Sequence, residues 1–253
     1  MERIENIGFG NLKLIQDSDQ FCYGVDAVIL ADFANSICPG FKSAVDLGTG
    51  NGIIPMILSH KNPNALITGI EVQECAFDLA KRSCSLNNLE DRVSFIKADV
   101  CDIDEKILDE VKTSEGEKYV DIVTCNPPYF TKGGAIPNKN SVKFIARHET
   151  TAAIEDFAKA AAKLLKRNGH LFLVHRPSRL VDIFYHCRKN GLEPKTLRMV
   201  VPKPSEAPNI VLVHCVKGGG KELSVMKELA VYNEDGEYSS EIQKIYERES
   251  DAL

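Results

Sequence analysis

Three successive apolar runs in this chain each carry an acid at or beside their end, and each leads into a helical stretch. Ser43–Leu47 contains Asp46, Ala65–Glu71 closes on Glu71, and Val93–Asp99 closes on Asp99. Short runs rich in β-branched residues and bounded by turn formers predict buried strands. Helical patterns follow at 53–60 and 73–87, and the 102–118 connection is mostly helical. Further runs at 119–125 and 169–175 extend the alternation, with helices expected at 25–36, 151–167 and 177–190. For the 151–167 helix, Thr150 or Thr151 is the expected start and Gly169 the C-terminal cap. Strands that alternate with helices lie parallel, with helices on both faces of the sheet. The last two runs, 195–201 and 209–216, are joined by Pro202–Pro208, which is too short for a helical crossover. They predict an antiparallel hairpin at the sheet edge. The expected fold is α/β, a seven-stranded, mostly parallel, doubly wound sheet.

With 253 residues and 43% apolar content, the chain can bury one sizeable core. Residues 41–217 form that domain. Residues 1–40 are an extension of it, with Ile4–Ile7 and Leu12–Ile15 forming a small hairpin ahead of the 25–36 helix. Gly218-Gly219-Gly220 opens a C-terminal tail (218–253) with a turn at 234–237 and a short helix capped by Ser239 or Ser240. No run approaches the ~20 apolar residues of a membrane span. Met1–Asn6 lacks a signal pattern, so a cytoplasmic protein is expected. The eight cysteines show no CxxC pair and no histidine spacing suited to zinc, so reduced thiols and no metal are expected. His170 and His175 bracket an apolar strand as structural residues.

The segment Asp46-Leu47-Gly48-Thr49-Gly50-Asn51-Gly52 joins the first sheet strand to its helix. Glycines at 48, 50 and 52 let backbone approach a ligand and expose amides at a helix N-terminus. A dinucleotide fingerprint needs a glycine where Ile53 stands. Asp46 would repel a pyrophosphate but welcome a ligand carrying an ammonium or sulfonium. Glu71, about 20 residues beyond the glycines, is placed to accept from ribose hydroxyls. Asp99 can take the exocyclic amine of an adenine. Strand-end acids also occur simply because turns favour them, but three on successive strands mark the edge where α/β sheets bind ligands.

Asn126-Pro127-Pro128-Tyr129 follows the fourth strand. Two prolines remove two backbone donors and fix φ where the strand stops. Carbonyls and the Asn126 amide are thereby left as a rigid group of acceptors suited to a planar NH2. Alone, such a tetrad equally makes an ordinary turn.

Together these segments resemble the S-adenosylmethionine-dependent amino-group methyltransferases, over most of residues 20–217. Phe21–Phe33 and Arg147-His148-Glu149 are similar to the bacterial tRNA adenine N6-methyltransferases that act on adenine 37 of a valine tRNA. The resemblance implies a cofactor site of Asp46, Gly48, Gly50, Asn51, Gly52, Glu71, Asp99 and Asn126. It implies catalysis by Asn126, Pro127, Pro128 and Tyr129, and closure of Phe21, Tyr23 and Asp26 over the cofactor. A plain cap on the sheet edge serves Phe21 and Tyr23 as well.

Net charge is −5, yet residues 130–203 hold 15 of the 31 Lys/Arg and only 5 of the 36 Asp/Glu. That asymmetry predicts one basic face on an acidic body. Lys132, Lys139, Lys143, Arg147 and His148, in the loop after Tyr129, are the candidate tRNA contacts. Lys159, Lys163, Lys166 and Arg167 form an ordinary solvated helix end. Protein glutamine or DNA adenine methylation and a non-catalytic cofactor-binding subunit are the alternatives. An NAD-dependent oxidoreductase is disfavoured by Ile53 and Asp46.

Overall fold

The computed structural model describes residues 1–18, 22–129 and 152–247. Strands β1 (Glu2–Asn6) and β2 (Lys13–Asp17) form a separate antiparallel hairpin, followed by helix α1 (Val25–Ile37). The main sheet is then laid down by β3 (Ser43–Leu47), α2 (Ile53–Lys61), β4 (Leu66–Glu71), α3 (Glu74–Leu86), β5 (Val93–Lys97), α4 (Glu105–Glu110) and β6 (Val120–Cys125). After the undescribed stretch come α5 (Ile154–Leu164), β7 (Leu165–His175), α6 (Leu180–Lys189), β8 (Leu192–Val201) and β9 (Ile210–Lys217).

The strand order is β8-β9-β7-β6-β3-β4-β5. Every neighbouring pair is parallel except those made by β9, which runs antiparallel to both β7 and β8. The expected hairpin and doubly wound sheet are therefore present. β3 is buried along its whole length and β6 along most of it, as strands covered on both faces must be. One apolar cluster lies under α1, α2 and the N-terminal hairpin, and a second lies under α4, α5 and α6.

The segment after Lys217 returns to the sheet. Two short strands, β10 (Ser224–Val225) and β11 (Leu229–Ala230), pair parallel with the outer side of β8, extending the sheet to nine strands. Helix α7 (Ser240–Ile245) is capped by Ser239, whose hydroxyl accepts from the Ile242 N–H at 3.2 Å, and it buries Ile242 and Ile245 in the first cluster.

The helix expected at 151–167 is shorter, and Gly169 does not cap it. The helix α5 starts after Ala153, whose N–H donates to the Asp156 carboxylate at 2.9 Å. It ends at Leu164 because Leu165 already pairs with Val120 of β6. Asn168 takes the left-handed conformation (φ 60°), and Gly169 serves the strand instead. A Cβ there would lie 2.9 Å from the Lys166 carbonyl and 3.2 Å from that of Asp121.

All eight cysteines are free thiols; Cys84, Cys125, Cys187 and Cys215 are buried, and Cys75 and Cys101 are exposed. His170 Nδ1 and His214 Nε2 lie 2.8 Å apart, and the His214 ring stacks on Phe172. Burial pushes both imidazoles below their ordinary value, so the pair shares a proton without carrying a charge. Among the described residues no helix is long and apolar enough to cross a membrane, and no cluster of His, Cys, Asp or Glu could hold a metal ion.

Candidate active site

β3 and β6 are neighbours in register, with Asp46 opposite Thr124 and Leu47 opposite Cys125. The glycine loop and the Asn-Pro-Pro-Tyr loop therefore leave the sheet side by side. The glycine loop turns through left-handed conformations at Gly48, Gly50 and Gly52. Its backbone is tied to the next strand: the Gly48 and Thr49 amides both donate to the Ile70 carbonyl. The Gly50 amide donates to Glu71 Oε2 at 2.8 Å, and Glu71 Oε1 accepts from Gln73 at 2.9 Å. Among the described residues a Cβ on Gly50 would meet nothing within 4 Å, so none of them fills the space beside the loop there.

Asp46 is almost fully buried. Its Oδ1 accepts from the Thr124 hydroxyl at 2.7 Å, while Oδ2 has no partner among the described residues. Among the described residues, Thr49 Oγ1 and Asn51 Nδ2 are likewise buried without a well-formed hydrogen bond. Burial pushes the Asp46 carboxyl up to about 7, against the pull of the Thr124 hydroxyl and of the Thr49 hydroxyl that faces it, and the nearby Glu71 adds to the rise. Leaving a buried polar atom unmade costs about 1–3 kcal/mol. Three such atoms around one loop, two oxygens and one amide donor, match a ligand bearing both a cationic donor and an acceptor. Asp99 is half-buried and caps the short turn Val100–Asp102, its Oδ1 accepting from the Cys101 amide at 2.9 Å.

Past Cys125, Asn126 is half-buried, Pro127 buried and Pro128 exposed. The Tyr129 hydroxyl donates to Asp26 Oδ2 of α1 at 2.8 Å. Its ring lies 5.0 Å from the Arg176 guanidinium and 5.1 Å from the His175 ring. Arg176 also donates to the Asn209 carbonyl at 3.0 Å. His175 Nδ1 accepts from the Arg176 amide at 2.7 Å, so its proton resides on Nε2. Burial, aided by Arg179 and Arg176, holds this imidazole down to about 4, and it stays neutral. Burial first, and then Asp26, push the Tyr129 phenol far above its ordinary value.

Residues 24–182 match the family of methyltransferase small domains. The chain belongs to that family. It is a methyltransferase whose cofactor is S-adenosylmethionine. It is 27% identical to a tRNA1(Val) (adenine(37)-N6)-methyltransferase of Porphyromonas gingivalis, over 75% of this chain and 72% of the relative. A protein of the same name from Histophilus somni is 24% identical over 97% of both chains. Among solved structures, a predicted O-methyltransferase of Agrobacterium tumefaciens superposes with a TM-score of 0.69 at 20% identity, covering 89% of this chain and 97% of that one. A putative RNA methyltransferase of Pyrococcus horikoshii gives 0.51 at 17% identity, covering 76% and 82%. Both share the Rossmann-like methyltransferase sheet.

The methyltransferase's own residues fit its cofactor. Asp46 Oδ2, Thr49 Oγ1 and Asn51 Nδ2 are the donors and acceptors an amino-acid head group would use, and Glu71 and Asp99 stand at the next two strand ends. Thr124 escaped the sequence reading because threonine in a β-rich run looks like a strand former, and Thr49 because the glycines on either side of it carried the reading of that loop. Gly69 supports the loop from below: a Cβ there would lie 2.6 Å from Phe95 Cδ1 and 2.8 Å from Thr49 Cγ2. Gly69→Ala should therefore destabilise the protein by about 1–3 kcal/mol through overpacking. The shift will show in the denaturant midpoint, and the cofactor affinity should weaken with it.

Tyr23 packs partly buried against the first core cluster, and Asp26 reaches Tyr129. Phe21, Lys132, Lys139, Lys143, Arg147 and His148 lie outside the described residues. Most of the other basic residues of 130–203 are engaged within the protein. Lys159 and Lys189 pair with Glu155, Lys166 with Asp121, Arg179 with Asp182, Arg188 with Glu193, and Arg198 with Glu241. Arg176 instead stands at the site, and its position was readable as the first residue beyond the fifth strand's carboxyl end.

Proposed function

We propose that this methyltransferase modifies the exocyclic N6 amine of an adenine in tRNA, adenine 37 beside the anticodon of valine tRNA. The observation that carries the reading is the rigid acceptor loop 126–129 leaving the sheet beside the glycine loop; the names of the relatives supply the nucleic acid. The bound cofactor supplies an electrophilic methyl group. Asn126 Oδ1 and the Pro127 carbonyl accept the two N–H bonds of the amine and hold its nitrogen in one orientation. The adenine lone pair is delocalised into the ring, so positioning carries much of the rate, about 7–11 kcal/mol at most. Positive charge grows on the nitrogen as the bond forms, and the same acceptors stabilise it more than the ground state. Tyr129 stacks on the base, with a cation–π contribution on the order of 1 kcal/mol.

The substrate base must lie outside helical stacking, which favours an unpaired anticodon-loop nucleotide. The Arg176 guanidinium, ordered on the Tyr129 ring, has the forked donor geometry that suits an adjacent phosphate. A reaction on tRNA agrees with a cytoplasmic protein. Labelled methyl transfer to total tRNA, DNA and protein, from cells lacking the enzyme, tests the reading. N6-methyladenosine in the tRNA digest is the expected product, and label confined to protein or DNA would defeat it.

A further inference from the structure

We propose that Asp26 is a positioning residue for the acceptor site: it holds the Tyr129 phenol so that the ring keeps one orientation toward an incoming planar substrate. The proposal rests on the reading of residues 126–129 as the acceptor loop, and it extends that site to the N-terminal segment.

The contact joins elements 103 residues apart in sequence, at 2.8 Å, between a buried carboxylate and a half-buried tyrosine. Asp26 is itself fixed, because its other oxygen accepts from the Ala27 amide at 3.0 Å. Gly24 makes room for that carboxylate: a Cβ at position 24 would sit 2.8 Å from Asp26 Oδ1. An acid in the first turn of α1 would interact favourably with the helix dipole from solvent, without burial and without a distant partner. Burial and the phenol bond go beyond that local role. Tyr129 follows two prolines, and its hydroxyl reaches α1. His175 and Arg176 pack against its ring and set the plane, but they leave open where the far end of the side chain points. A hydrogen bond to the phenol oxygen, which lies on the long axis of the ring, pins that end and with it the direction of the side chain. Phenylalanine could stack as well as tyrosine but could not be held this way.

A double-mutant cycle isolates the effect. Asp26→Ala and Tyr129→Phe should each lower kcat/KM for the methyl acceptor by about tenfold or more, with S-adenosylhomocysteine affinity within about threefold of wild type. The double variant should be no worse than the weaker single one. Asp26→Asn keeps an acceptor and should restore most of the activity. Additive losses, or Tyr129→Phe with full kcat/KM, would overturn the proposal, and the second result decides even if Asp26→Ala does not fold. An activity-independent check uses carbon-13 at tyrosine Cζ, with the Tyr129 signal assigned as the one missing in Tyr129→Phe. In wild type it should not titrate at the ordinary phenol value of about 10, and in Asp26→Asn it should remain shifted. Ordinary titration in wild type would show that the bond is absent. Total tRNA, DNA and protein are offered as acceptors, and the cycle is measured on whichever the wild-type enzyme labels. Failure of the tRNA reading therefore appears in the wild-type acceptor, and failure of the positioning role appears in the cycle.

Discussion

Asn126→Ala is expected to lower methyl transfer by about 10²–10³-fold, comparable to deleting one preorganised group that stabilises developing charge. The side chain sits half-buried immediately past β6, next to Pro127, and removing it leaves only carbonyls to orient the amine. Asp46, Thr49 and Asn51 are untouched, so S-adenosylhomocysteine should bind within a few fold of wild type. Single-turnover rates with saturating cofactor, set beside calorimetric binding of S-adenosylhomocysteine, separate the two effects. Near-normal turnover would mean that Asn126 does not hold the acceptor. A parallel loss of cofactor binding would mean that it belongs to the other half of the site.

Asp46→Asn should give the second large effect, in affinity rather than rate. A hydrogen bond to a charged group contributes about 1.5–3 kcal/mol, so cofactor affinity should fall by roughly 10–150-fold. The wild-type affinity should also depend on pH. In the free protein burial holds the Asp46 carboxyl up to about 7. Only the carboxylate attracts an ammonium, so affinity should rise with pH through that value and level off above it. In Asp46→Asn this rise should vanish. The stability of the free protein moves the other way. The folded carboxyl is raised above its unfolded value, so the stabilisation it contributes is fully present below the ordinary carboxylate range and lost as pH rises through about 7. Calorimetry at about pH 5.5 and about pH 8 distinguishes the cases. An affinity independent of pH in the wild type would show that Asp46 is already ionised without ligand.

The parallel strands, the helices between them and the final hairpin were legible because their signals are local. β-branched runs, turn residues and the short Pro202–Pro208 link each act within a few positions. The α5 boundary was misread for a tertiary reason: Leu165, Lys166 and Arg167 continue a helical pattern, but pairing of Leu165 with Val120 draws the chain into the sheet. Asp46 was recognisable by its place ahead of three glycines. Thr124, which anchors it, was hidden 78 residues away in an ordinary strand. Asp26 was singled out for the cofactor, and only the fold shows it bonded to Tyr129. The charge count of 130–203 could not show that Glu155 and Asp121 pair with lysines of that stretch; its loop lysines lie outside the described residues.

The outer edge of β8 has consequences for handling the protein. Two dipeptide strands, β10 and β11, cover its open side, pairing with Thr196–Leu197 and Val200–Val201. Without them β8 would offer unpaired amides and carbonyls beside buried apolar side chains, a template for strand addition by another molecule. The segment after Lys217 therefore closes that edge. Trimming it, or cutting within the exposed glycine link, should leave β8 open to strand addition.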